Sequence, residues 1–131
     1  MSRLLIDTSA YSAYFVGNER VVQEIQSASK LIISPIMLGE LQSGFLTGTR
    51  YAANQERLRS FLSSPRVEYL TVDKDTSTFY ATISAGLKRK GKPIPLNDVW
   101  IAASAMQHGL IILTLDSHFR YIDQVIAKVV E

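Results

Sequence analysis

Four acidic residues stand where short apolar runs end or helical stretches begin. Asp7 directly follows the run Arg3–Ile6, and Asp116 lies two residues past Leu110–Thr114. Asp98 opens the helical stretch to His108, and Glu40 sits five residues into the one that starts at Pro35. Carboxylates gathered in one pocket repel and raise one another's pKa values. A divalent cation removes that cost, and carboxylate and water oxygens match Mg²⁺ or Mn²⁺. Such an ion activates water and stabilises charge on a phosphate. Cysteine is absent and the histidines number 2, His108 and His118. Thiolate zinc sites, iron–sulfur clusters, cysteine nucleophiles and three-histidine metal sites are therefore excluded.

For the four acids to meet, their segments must share an edge. The runs Arg3–Ile6, Lys30–Ser34, Val67–Val72 and Leu110–Thr114 are short, continuous and rich in Leu, Ile and Val, with Val125–Val130 a weaker fifth. Continuous apolar runs, unlike alternating ones, predict a parallel sheet covered on both faces. Helical patterns fill the gaps: Thr8–Val16, Glu19–Ala28, Pro35–Gly44, Arg50–Leu62, Thr76–Lys90 and Asp98–His108, with a short helix after Asp116. Ser34 is the expected cap before Pro35, and Asn97 the expected cap before Asp98. Gly91 and Gly109 are expected to end their helices. The alternation gives a three-layer α/β/α arrangement around a mainly parallel sheet of four to five strands. At 131 residues, with neither repeat nor linker, one unit over 1–131 is expected.

Ligands of open parallel sheets bind at the carboxyl edge of the strands. Asp7 and Asp116 follow strands to that edge. A helix that precedes a strand runs against it, so Asp98 begins there too. Glu40 is about 7.5 Å below Pro35 at 1.5 Å per residue, and helical side chains lean toward the N-terminus. Glutamate is long enough to reach back. Each acid also has an ordinary reading. Asp7 would cap a helix, Asp98 would meet a helix dipole, Asp116 would serve a turn, and Glu40 would face solvent.

The residues themselves carry a family resemblance. Leu5-Ile6-Asp7-Thr8-Ser9 and Leu38-Gly39-Glu40-Leu41 resemble the first two motifs of PIN-domain nucleases. Asn97-Asp98-Val99-Trp100-Ile101-Ala102-Ala103 and Leu113-Thr114-Leu115-Asp116-Ser117-His118-Phe119 resemble the last two. The ordered set, with Gly91-Lys92-Pro93-Ile94-Pro95 before Asp98, is most similar to VapC-type toxins of toxin–antitoxin pairs. The resemblance implies a cytoplasmic endoribonuclease, with tRNA a common target among similar proteins. It implies that Asp7, Glu40, Asp98 and Asp116 form an acidic quartet for Mg²⁺ or Mn²⁺. Thr114 matches a hydroxyl position near the metal, and Thr8 or Ser9 would place a water or phosphate. It also implies a VapB-like antitoxin whose C-terminal segment covers the site, a homodimer, and a toxin–antitoxin hetero-oligomer. One departure concerns a further acid that many relatives carry two residues after the fourth-motif Asp, where this chain has His118. That position is either a phosphate contact or a surface histidine in a turn.

Surfaces for partners are less marked. The formal net charge is +2, and setting the four acids aside leaves 14 basic residues against 8 acidic. That excess suits a polyanion. Lys88, Arg89, Lys90 and Lys92 form the basic cluster before Asp98 and, with His118, are the candidate RNA-binding residues. The other reading of the cluster is a solvated helix end. Tyr11, Tyr14 and Phe15, with Met37, Leu41, Phe45 and Leu46, are expected mostly in the core, any exposed remainder forming a groove for an amphipathic partner helix. Trp100 is expected in the core. No run approaches the roughly 20 apolar residues of a membrane span. The apolar run after Arg3 is too short for a signal-peptide core, so a cytosolic location is expected. The competing functional class is a non-catalytic RNA- or protein-binding module with the same architecture. A haloacid-dehalogenase-like use of Asp7 needs a second Asp where Ser9 stands, and no Gly-x-Ser-x-Gly elbow supports a serine hydrolase.

Overall fold

A computed structural model describes residues 2–131; Met1, part of the unit expected over 1–131, lies outside them. The elements run β1 (Arg3–Ile6), α1 (Thr8–Phe15), α2 (Glu19–Ser27), β2 (Lys30–Ile33), α3 (Pro35–Thr47), α4 (Tyr51–Leu62), β3 (Val67–Tyr69), α5 (Lys74–Lys90), α6 (Leu96–His108), β4 (Ile111–Thr114), a 3₁₀ segment (Ser117–Tyr121) and β5 (Ile126–Val129). The sheet order is β3-β2-β1-β4-β5, and every pairing is parallel. The expected three-layer α/β/α arrangement and its parallel sheet are both present.

Successive strand residues point to opposite faces, and the core divides accordingly. Leu4, Ile6, Leu31, Ile33 and Leu113 face one cluster, which Tyr11, Val21, Ile25, Met37 and Leu58 complete from α1 to α4. Leu5, Ile32 and Ile112 face the other, closed by Ile83 and Leu87 of α5, by Val99 and Ile101 of α6, and by Phe119. The chain order steps from β1 to β2 and β3 on one side, then crosses to β4 and β5 on the other. The crevice where that direction reverses, between β1 and β4, is where ligands of such sheets bind.

Several boundaries differ from the sequence reading. The third strand pairs only over Val67–Tyr69, although the Leu70 N–H still reaches the Ile33 carbonyl. Helix α5 begins at Lys74 because Asp73 and Thr76 form a reciprocal capping box. Helix α3 continues past Gly44 to Thr47. Helix α6 begins at Leu96 after Pro95, with no side-chain cap, so Asn97 is inside the helix and does not cap it. Pro95 supplies an extended residue and no N–H, which lets the turn start earlier. Gly91 and Gly109 end their helices at φ 66° and 64°, as expected. Tyr11, Met37 and Leu41 are buried, Tyr14 and Phe45 half-buried, and Phe15 and Leu46 exposed. Trp100 is half-buried, stacked 4.2 Å from Tyr80. Among the described residues no helix is long and apolar enough to cross a membrane.

Candidate active site

Asp7 ends β1 and caps α1 at once. Its Oδ1 accepts the Ala10 N–H at 2.9 Å and the Ser9 hydroxyl at 2.8 Å, and its Oδ2 accepts the Thr114 hydroxyl. The capping and site readings of this residue are therefore compatible: Oδ1 serves the helix while the carboxylate stands at the sheet edge. Thr114 ends β4, is fully buried, and also accepts the Asp116 N–H at 2.9 Å. Ser9 accepts the Leu115 N–H at 3.0 Å. Two hydroxyls thus stitch the end of β4 to the end of β1 and aim the segment that carries Asp116. Burial lifts the Asp7 carboxyl above the ordinary range against the lowering influence of these hydrogen bonds, and the Asp116 charge lifts it further.

Glu40 leans back along α3, and its Oε1 accepts the Thr8 hydroxyl at 2.8 Å. Asp98 occupies the first turn of α6. Its carboxyl is pushed up to about 7, foremost by burial, then by the charges of Asp116, Asp7 and Glu40 in that order, and by a hydrogen bond to Asp116. Three elements and one loop therefore bring all four acids to one place, as the topology predicts. Asp116 caps the 3₁₀ segment, its Oδ1 accepting the His118 N–H at 2.9 Å and lying 3.0 Å from His118 Nδ1.

The site suits a divalent cation on two grounds. Donor atoms of Asp98, Asp116 and His118 lie within 4.8 Å of one another. Among the described residues no Lys or Arg pairs with any of the four acids, so no permanently charged cation neutralises them. Asp7 and Glu40 stand beside the trio, each oriented by hydroxyls. Hard oxygen donors with uncompensated negative charge are what Mg²⁺-type ions require.

The remaining candidates fall into two groups. Thr8 and Ser9 give their protons to Glu40 and Asp7, so they orient acids rather than offering free donors. Lys90 is held by Asp123 at 2.7 Å and by the Tyr121 carbonyl at 2.8 Å, and Lys92 lies 5.1 Å over the Tyr121 ring. Lys88 and Arg89 are exposed on the last turn of α5. The structure also reveals a cleft the sequence reading missed. It holds about 630 Å³ and is lined by Pro35, Ile36, Gly39, Glu40, Ser43, Gly44 and Asn97. Its signal was present in the small residues Gly39, Ser43 and Gly44 on one face of α3. Asn97, freed from capping by Pro95, lines its far wall.

A family model described as "PIN domain" matches residues 4–125. A ribonuclease named VapC4 from Mycobacterium tuberculosis is 34% identical over 119 residues, covering 89% of this chain and 88% of its own. A solved member of the VapBC family of toxin–antitoxin systems, VapBC-5 from the same organism, superposes with a TM-score of 0.78 at 26% identity, covering 99% of this chain and 100% of its own. The fold is also that of VapBC2 from Rickettsia felis, solved with a promoter DNA fragment, at a TM-score of 0.86 and 24% identity, with coverage of 96% and 97%.

Proposed function

Because the chain belongs to the PIN-domain family, we propose that it is a metal-dependent endoribonuclease and the toxin of a toxin–antitoxin pair. What supports this above all is the convergence of Asp7, Glu40, Asp98 and Asp116 on one edge, where among the described residues no Lys or Arg pairs with them. The whole chain, 1–131, acts as one nuclease unit in the cytoplasm. Its partners are an RNA substrate, with tRNA the first class to test, and a VapB-like antitoxin in a hetero-oligomer built on a toxin homodimer.

Asp98 and Asp116 would hold the cation, Mg²⁺ or Mn²⁺, with Asp7 and Glu40 beside them. Bound there, such an ion lowers the pKa of a water and stabilises charge on phosphorus. The chain's own residues supply positioning. Thr114 and Ser9 fix both oxygens of Asp7, and Thr8 fixes Glu40. Asp98 would bind a cation as its carboxylate, which would tie activity to that form. Hydrolysis joins a water oxygen to phosphorus and breaks the bond to the 3′ oxygen, leaving 5′-phosphate and 3′-hydroxyl ends. The cleft beside Glu40 would receive a nucleotide flanking the cut, and Lys88 and Arg89 would meet the backbone beyond it.

The test is cleavage of total bacterial RNA by purified protein with Mg²⁺, with Mn²⁺ and with chelator, beside Asp7→Ala and Asp98→Ala. Discrete, metal-dependent products lost in both variants are expected. Full cleavage by either variant, or neither cleavage nor any thermal response to metal in the parent, would sink the proposal and favour the binding-module reading.

A further inference from the structure

His118 stands in the first turn of the 3₁₀ segment that Asp116 caps. Its backbone N–H is anchored on Asp116 Oδ1 at 2.9 Å, and that anchor brings the imidazole back to the same carboxylate, with Nδ1 3.0 Å from Oδ1. Two chemistries share that spacing. In one, Nδ1 donates a proton to Asp116. In the other, both lone pairs point at one cation, because neighbouring ligands of an octahedral ion with bonds of about 2.1 Å sit about 3 Å apart. Asp98 adds a third donor within 4.8 Å of both, a spread that small side-chain rotations close. The His118 side chain is 47% exposed, which leaves it room to rotate.

We infer that His118 is a metal-ligating residue of this site, its imidazole nitrogen joining Asp98 and Asp116 in a mixed nitrogen–oxygen set that favours Mn²⁺ over Mg²⁺. The inference rests on the metal-dependent reading above and specifies it. Mg²⁺ demands oxygen ligands and sheds its waters reluctantly. Affinity for nitrogen donors rises along the transition series, in which Mn²⁺ takes part and Mg²⁺ does not.

The probe is Mn²⁺ alone, added to the full chain and followed by pulsed EPR, with Mn²⁺ and Mg²⁺ titrations by calorimetry. The expected result is a ¹⁴N coupling typical of a directly bound imidazole, absent from His118→Ala and His118→Asp. His108 cannot supply it, since it closes α6 ten residues beyond Asp98, about 15 Å along the axis. His118→Ala is expected to weaken Mn²⁺ about tenfold while Mg²⁺ changes little, and His118→Asp to move the preference toward Mg²⁺. Unchanged melting and circular dichroism without metal would show both variants folded. One Mn²⁺ bound with no nitrogen coupling, and bound equally by His118→Ala, overturns the inference and leaves the nuclease reading intact. No binding of either ion by the parent chain overturns both.

Discussion

Asp98 carries the strongest electrostatic load at the site, and its sign is testable without substrate. Its carboxyl sits near 7 in the folded chain against an ordinary 3.8. The folded state therefore holds that proton more tightly than the unfolded state. Its contribution is fully present below about pH 4 and is lost as pH rises through about 7. Metal-free protein in chelator should gain stability from Asp98→Asn at pH 8, by about 1–2 kcal/mol after solvent screening of a half-exposed group, and gain nothing at pH 4. Urea titrations at the two pH values measure this. Mn²⁺ should then stabilise the parent more than the variant, since binding to the native state alone raises its stability. Thr114→Val makes a second case. It removes the donor to Asp7 and the acceptor for the Asp116 N–H while keeping shape. Leaving those buried groups unpaired should cost about 1–3 kcal/mol and cut cleavage severely, whereas Thr114→Ser should restore much of both. The four acids were legible in the sequence because each stands at a strand end or a helix start. What orients them was not, because the Thr8–Glu40 and Asp7–Thr114 bonds span 32 and 107 residues and depend on side-chain rotamers.

Elements place these residues, and two local sequences defeated a pattern reading for identifiable reasons. The apolar letters of Leu70 and Val72 continue the third run, but β2, its only partner, ends at Ile33, so pairing stops at Tyr69. The Asn97-Asp98 pair reads as a cap and a first turn, yet Pro95 starts the turn earlier and releases Asn97 to the cleft. The strands, the helix order and the glycine stops were legible because apolar runs and left-handed glycines are local signals. The cleft was not, since its walls come from α3 and α6, far apart in sequence. It exists because α3 presents Gly39, Ser43 and Gly44 where larger side chains would fill the space. Ser43 is exposed, and no added Cβ at Gly39 or Gly44 meets an atom within 4 Å, so this face of α3 is open. Ser43→Trp should therefore leave melting and the Mn²⁺ response unchanged while raising KM for RNA about tenfold, the equivalent of about 1.4 kcal/mol of lost substrate binding. Steady-state cleavage with a defined oligonucleotide checks it. An unchanged KM would mean that RNA does not enter the cleft.

At the scale of the whole molecule, α1 links the acidic edge to an aromatic surface. Thr8 and Ser9 at its start hold Glu40 and Asp7. One to two turns later, Tyr11, Tyr14 and Phe15 meet Phe61 of α4 with ring centroids 5.2, 5.5 and 6.5 Å away. Beside them opens a groove of about 400 Å³ lined by Tyr14, Phe15, Arg57, Phe61 and Arg66. An eight-residue helix spans about 12 Å, so an antitoxin segment seated in the groove would have to extend only about that far to reach the acids. Aromatic side chains at the centre of such grooves carry a disproportionate share of binding energy. Phe15 is 36% exposed and lies outside the quartet, so Phe15→Glu replaces an apolar ring of the groove with a charge while leaving the acids in place. That variant should bind the antitoxin at least tenfold more weakly, measured by calorimetry, while cleaving RNA at the parent rate. In cells it should remain toxic when the antitoxin is co-expressed. Asp98→Asn should do the reverse, losing cleavage while keeping the antitoxin. If Phe15→Glu bound the antitoxin as tightly as the parent, the aromatic surface would not be the docking site, and inhibition would have to act at the acidic edge alone.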